Sequence, residues 1–258
     1  MNAYVINGTQ RLPLIMESKP TILRRIHHEP SDGRPAIRYR IQLIDDQLID
    51  EAVLLLHDHF TPRENLSSSL GNFVRAGISS DEDAVEQLDG WSKKAMAEEG
   101  CSLAALLEDA SGNPGPIIGV NVVTIKKAKT EKTKPSEKRS EKVSTMAKVL
   151  WALYAKENIF DRYKCSSYLS GCGLVVMPEY ERRGIASEML KAQAEVCRMK
   201  DTPVGVDIFT SKASQNLAKK CGYESLGELD LSEFRIDGEL VLKQPEYRTI
   251  IYMAKKYY

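Results

Sequence analysis

The stretch 173–199, GLVVMPEYERRGIASEMLKAQAEVCRM, constrains the fold of this chain more than any other. Its apolar run Leu174-Val175-Val176-Met177 has the length of one buried strand. Pro178 has no amide hydrogen to give to a ladder, so the strand ends there. A charged turn covers residues 179–184. After it Ile185, Met189, Ala192, Val196 and Met199 recur at steps of four, three, four and three, the apolar stripe of an amphipathic helix. The segment therefore reads strand, basic turn, helix. Such a turn leaves backbone amides unpaired at the positive end of the helix dipole, with Arg182 and Arg183 beside them. A phosphate group suits that place.

The remainder of the chain narrows the class. Its 258 residues are ample for a buried core, and Lys+Arg and Asp+Glu balance at 36 each, so no global field recommends nucleic acid or an anionic membrane as partner. Five scattered cysteines without a CxxC pair fit reduced thiols better than disulfides or a zinc site. The first residues lack a basic start followed by an apolar core, and no apolar run approaches the ~20 residues needed to span a bilayer. The expectation is a cytoplasmic protein with no metal.

Taken in order, residues 1–36 form an N-terminal extension in which 21–28 can add an edge strand. Ile37–Leu43 (IRYRIQL) alternates as a half-buried strand does. Asp45 is placed to cap a helix carrying Leu48, Ala52, Leu55 and His59, which stops at Pro62. A polar stretch, 61–80, holds one short helical turn. A second helix from residue 80 presents Ala84, Leu88, Trp91 and Ala95 on one face. Strands at 101–107 and 116–125 flank the turn ASGNPG. Residues 126–142 hold eight basic and three acidic side chains and no large apolar group, which predicts a Lys-rich surface loop. A helix over 143–157, a strand over 167–177, a strand over 204–209, a helix capped near Ser211 and closed by Gly222, and strands at 223–231 and 248–254 complete the chain, with a loop at 235–246 between the last two. The indoles of Trp91 and Trp151 and the ring of Tyr168 are assigned to the core or a pocket wall. Interleaved helices and strands indicate an α/β (α+β) fold, a mixed, largely antiparallel sheet flanked by helices in a single domain over 37–258.

Glu181-Arg182-Arg183-Gly184-Ile185-Ala186, placed after a strand-ending proline, resembles the Gln/Arg-x-x-Gly-x-Gly/Ala signature of the GNAT acetyltransferase superfamily. Glu181 stands where that family has Gln or Arg. Three further segments resemble the insect arylalkylamine N-acetyltransferases of the dopamine type. Phe60-Thr61-Pro62-Arg63-Glu64-Asn65-Leu66 follows the family's Phe-x-x-Asp-Glu-Pro-Leu, with Arg63 and Asn65 replacing the Asp and Pro. Phe209-Thr210-Ser211-Lys212-Ala213-Ser214 follows Cys-Ser-Ser-x-x-Ser, and Gly238-Glu239-Leu240-Val241 with Ile251-Tyr252-Met253-Ala254-Lys255 follows the closing pattern.

The resemblance implies acetyl-CoA as co-substrate, its pyrophosphate on the amides of Glu181, Arg182, Arg183, Gly184, Ile185 and Ala186. It places the pantetheine along Leu174, Val175 and Val176, with Ser211 and Ser214 nearby. It puts the general base on Glu64 and the functional hydroxyls on Thr210 and Ser214. The tyrosine that many GNAT enzymes use as general acid is Ala218 here, so Ser214 is the candidate proton donor, or a helix-capping hydroxyl. An amide near Val176 is placed to face the thioester carbonyl. The implied reaction is direct transfer to a small amine by a monomer. An acceptor that is a polyamine, agmatine or protein lysine, and a degenerate module that only binds CoA, remain open alternatives.

Overall fold

Ile37–Leu43 is a strand with Tyr39 and Ile41 buried against one helix layer, but Arg40 and Gln42 on its other face are buried as well, so it is covered on both sides rather than half-buried. It is the second strand of an eight-stranded sheet in a computed structural model that describes residues 19–29, 33–70, 82–128, 139–242 and 245–258. The strands are β1 (Ile22–His28), β2 (Ile37–Leu43), β3 (Leu103–Glu108), β4 (Pro114–Lys127), β5 (Ser167–Val176), β6 (Val204–Phe209), β7 (Glu224–Asp230) and β10 (Thr249–Lys256). A small hairpin of β8 (Arg235–Ile236) and β9 (Glu239–Leu240) stands apart from them. The order across the sheet is β1-β2-β3-β4-β5-β6-β10-β7. Every neighbouring pair is antiparallel except β5 and β6, which run parallel and pair only at Leu169–Gly205 and Ser170–Val206. Beyond those two positions the strands part.

The helices are α1 (Ile49–Leu55), α2 (Asn65–Ser69), α3 (Glu82–Glu99), α4 (Glu141–Tyr154), α5 (Ile159–Tyr163), α6 (Ile185–Met199) and α7 (Lys212–Lys220). α6 lays Ile185, Met189, Ala192 and Val196 on Ile41, Leu103, Ala105 and Ile118. Burying an aliphatic side chain of this size contributes roughly 1.5–3 kcal/mol, so the stripe fixes α6 and the turn before it. On the opposite face α1 and α3 cover Ala104, Leu106, Val120 and Val175. Past β5 two further clusters repeat the arrangement, α4 covering Val206, Ile250 and Tyr252 and α7 covering Phe209, Ile251 and Met253.

Several details differ from the expectations. Asp45 accepts from the Gln47 amide but does not cap α1, whose N-cap is Leu48 without a side-chain bond. α1 runs on into a π-helical turn, Leu56–Phe60. The short helix α5 follows an Asn158 cap between the expected helix over 143–157 and the expected strand from 167. The 235–246 segment contains the small hairpin, turned by Asp237 and Gly238, both at positive φ. Trp91 is 45% and Trp151 68% exposed, so neither indole is core. Buried Val149 and Leu153 face the sheet from the side of α4 opposite Trp151, and α3 packs through Ala84, Val85, Ala95 and Met96, leaving Trp91 at the margin. Met199 is likewise exposed at the end of the α6 stripe. Tyr168 is partly buried against the α4 cluster. The central part of the Lys-rich stretch, 129–138, and the expected helix start at residue 80 lie outside the described residues; 126–127 belong to β4 and 141–142 to α4.

Candidate active site

The turn between β5 and α6 begins with a short 3-10 helix, Pro178–Tyr180. Arg182 (φ 59) and Gly184 (φ 77) then adopt left-handed conformations on either side of Arg183. Alternation of that kind directs successive amides to one side, the geometry of an anion-binding nest. Among the described residues no protein acceptor takes the amide hydrogens of residues 182–187; the first helical bond back is from Glu188 to Gly184 O. A Cβ added to Gly184 would meet nothing within 4 Å. Unengaged amides, open space and a helix N-terminus behind them fit a diphosphate.

The two arginines behave differently. Arg182 is exposed beside the nest, whereas Arg183 is buried, donates to Pro35 O at 2.7 Å and stands over the Tyr180 ring. Its side chain therefore supports the turn rather than facing it. Arg34, from the same segment as Pro35, donates to the carbonyls of Glu181 (3.0 Å) and Arg182 (3.4 Å). The segment ahead of β2 thus braces the turn from outside, a role with no motif to announce it. Glu181, a carboxylate in an awkward place for an anion site, is paired with Arg63 at 2.5 Å.

Glu64 is the N-cap of α2, its carboxylate accepting from the amides of Leu66 (3.1 Å) and Ser67 (2.8 Å). These bonds orient it and leave about two of its roughly four acceptor positions free. The π-helical turn ahead of it places Phe60 over Gly173, where an added Cβ would lie 3.1 Å from the ring. Next to Gly173 a bulge in β5 against β4 omits Cys172 from the register. A helix irregularity and a strand irregularity therefore meet where β5 leaves β6. Asn65, buried, donates to Thr210 O (3.1 Å) and Tyr247 O (2.8 Å) and accepts from the Tyr247 amide (3.1 Å). It ties the Glu64 turn to the end of β6. Only its departure from the family's proline marked it in the sequence.

Ser211 caps α7 in a reciprocal box with Ser214: the Ser214 amide donates to Ser211 Oγ (3.2 Å) and the Ser211 amide to Ser214 Oγ (3.2 Å). Ser214 Oγ also donates to Ser211 O at 2.9 Å. Thr210 is half-buried at the end of β6. Leu174, Val175 and Val176 pair with β4 on one side and face the parted seam on the other. The sequence segments 60–66, 173–186 and 209–214 are thus brought to one end of the seam. No hydrogen bond joins Glu64 to Thr210 or Ser214 among the described residues. His57 pairs with Asp89 of α3 at 2.7 Å, away from these groups.

Two surface hollows, about 380 and 470 Å³, lie elsewhere, one beside Arg40 and Gln42 and one between α1 and α3, and neither is lined by the turn or the seam. Among the described residues no three His, Cys, Asp or Glu side chains converge as metal ligands, and no helix is long and apolar enough to cross a membrane. All five thiols are free.

A mostly antiparallel sheet that splits at one parallel pair, with a nest and helix at the split, is the fold of the GNAT acetyltransferases. The solved structures of that fold that resemble this chain include insect amine enzymes. The yellow fever mosquito Aedes aegypti protein assigned as arylalkylamine N-acetyltransferase 7 superposes with a TM-score of 0.79 at 22% identity, over 95% of this chain and 98% of that one. Arylalkylamine N-acetyltransferase 2 of Aedes aegypti does so at 0.73 and 19%, over 85% and 99%. A Drosophila melanogaster polyamine N-acetyltransferase that forms N-acetylagmatine does so at 0.66 and 16%, over 84% and 99%. At the level of sequence, no protein-family model and no curated protein matches the chain.

Proposed function

We propose that this protein is an N-acetyltransferase that moves the acetyl group of acetyl-CoA to the primary amine of a small arylalkylamine of the dopamine, serotonin, tyramine and octopamine class. The observation that carries the reading is the row of unengaged amides at 182–187 beside the parted β5–β6 seam. Acetyl-CoA lies with its diphosphate on that nest and its pantetheine along Leu174, Val175 and Val176. Insect arylalkylamine enzymes among the similar folds support the acceptor class.

A primary alkylamine is mostly protonated near neutrality and must lose a proton before it attacks. Glu64, held at its N-cap position, takes that proton directly or through water, a role that commonly contributes about 10²–10⁴-fold. The amine nitrogen bonds to the thioester carbon, and the oxyanion is met by a backbone amide near Val176, worth about 3 kcal/mol for one preorganised donor. The carbon–sulfur bond then breaks. The leaving thiolate takes a proton through Ser214, at the positive end of α7 with Thr210 adjoining, and the serine regains one from the second N–H that the acylated nitrogen sheds, so no alkoxide is left. No acyl-enzyme is formed.

The test is release of CoA thiol by the full chain with acetyl-CoA and a panel of dopamine, serotonin, tyramine, octopamine, agmatine, spermidine and a lysine peptide. Highest kcat/KM is expected with the arylalkylamines, and Glu64→Gln is expected to lower kcat about 10²–10⁴-fold with acetyl-CoA binding retained. Preference for agmatine or spermidine would favour the second reading, which the similar polyamine enzyme supports. Binding of acetyl-CoA without turnover of any amine would reduce the protein to a CoA-binding module.

A further inference from the structure

A buried carboxyl group marks the place where β5 and β6 separate. The last register pair is Ser170 with Val206, and the next, Gly171 with Asp207, does not form. Asp207 instead turns its side chain onto Gly171: a Cβ built there would lie 1.3 Å from Asp207 Oδ1. Only glycine on β5 coexists with this carboxyl.

Among the described residues it has no counter-charge. Gln193 and Cys197 lie beside it on α6, Tyr223 on the approach to β7 and Tyr257 at the end of β10, while Cys172 of β5 and Tyr154 of α4 act on it electrostatically from the other face of the sheet. No Arg, Lys or His among the described residues acts on it. The Tyr223 hydroxyl donates to Gln193 Oε1 (2.8 Å) and lies 3.2 Å from the Tyr257 hydroxyl, while Asp207 Oδ2 and Gln193 Nε2 have no partner. An ionised carboxylate is costly in such a place and the neutral acid far less so. Burial accordingly pushes Asp207 up to about 7, with Tyr223 and Gln193 acting in the opposite direction.

We propose that Asp207 is a positioning residue of the acetyl-CoA slot, a neutral acid packed on Gly171 that closes the slot's inner end, and that its ionisation loosens that end. The occupant of the slot rests on the function proposed above; the state of Asp207 does not. The folded chain holds this proton up to about pH 7, whereas an unfolded aspartate releases it near 3.8. Protonation therefore favours the folded state fully below about pH 4, and that advantage, roughly a thousandfold in the folding equilibrium, is lost as pH rises through 7.

Two measurements on the full chain test this. In urea unfolding without ligand between pH 4 and 8.5, the stability of Asp207→Asn is expected to lack the fall of that size seen in the wild type. In calorimetric titration with acetyl-CoA, wild-type affinity is expected to fall up to about tenfold per pH unit above 7, and that of Asp207→Asn to stay level. Equal pH dependence of unfolding in the two proteins would overturn the proposal. Failure of either protein to bind acetyl-CoA at any pH removes the slot, and the positioning role with it, even where unfolding shows the expected difference. Should Asp207→Asn not fold, Gly171→Ala alone and combined with Asp207→Ala decide the packing: the single change is expected to abolish folding and the pair to restore it, and no restoration overturns the wedge.

Discussion

Arg63 Nη2 lies 2.5 Å from Glu181 Oε1, joining the Glu64 turn to the nest across 118 residues of sequence. Both positions depart from the pattern the sequence resembles, Arg63 standing for Asp and Glu181 for Gln or Arg. Side by side they form one ion pair. The pair also disposes of a difficulty, since a carboxylate at 181 beside a diphosphate is unfavourable alone and tolerable with its own guanidinium.

Reversing either partner, Arg63→Glu or Glu181→Arg, sets like charges together. Each single reversal is expected to weaken the link between the two segments, and the double reversal to recover it. Both side chains are nearly half exposed, so the coupling is on the order of 0.5–1 kcal/mol, a factor of about 2–5. A double-mutant cycle on acetyl-CoA affinity at low salt measures it; additive effects would mean the segments are uncoupled.

Asn65 offers both kinds of hydrogen-bonding atom to a buried site, so its replacements have a predictable order. Asn65→Ala leaves the carbonyls of Thr210 and Tyr247 without their donor and is expected to lower stability by about 1–3 kcal/mol. Asn65→Asp turns the donor into an acceptor facing both carbonyls and is expected to lower it further at pH 7. Urea denaturation ranks the two, and an aspartate variant more stable than the alanine one would contradict this account.

Gly184 separates strain from electrostatics. Its φ of 77 makes any side chain strained, by roughly 1–2 kcal/mol, although the space beside it is open. Gly184→Ala and Gly184→Asp share that strain, and the aspartate adds a charge at the nest. Acetyl-CoA affinity is expected to fall further for Asp than for Ala, and the gap to shrink at high salt. Equal affinities would show that no anion binds there.

Arg34→Ala is expected to weaken acetyl-CoA binding about fivefold although Arg34 lies in a different segment from the motif, because the turn loses the donor to two of its carbonyls. Titration calorimetry reads the change, and an unaltered affinity would show that Arg183 on Pro35 suffices to hold the turn.

What was legible in the sequence was local. The α6 stripe, Pro178 and Gly184 define strand, turn and helix because each acts within a few residues of itself. The Ser211 cap was legible for the same reason. Contacts between distant segments were not: nothing near Arg183 says that its side chain leaves the open side of the turn for Pro35, and nothing near Asp207 says that Gly171 lies beneath it. The tryptophans misled because hydrophobicity gives a helix position its preference, while the small residues that let α3 approach the sheet decide which face is buried.

With two residue pairs between β5 and β6, the eight strands make two half-sheets, each with its own packing on both faces. Bending of the molecule concentrates along that line, since every other neighbouring pair of strands is hydrogen-bonded over a longer run. Relative rotation of the halves would alter the width of the gap against the few contacts that cross it, Leu190 of α6 on the α7 cluster and Asn65 on Thr210 and Tyr247. The part of the sheet with the fewest backbone bonds is where a small molecule gains the most mechanical leverage over the whole.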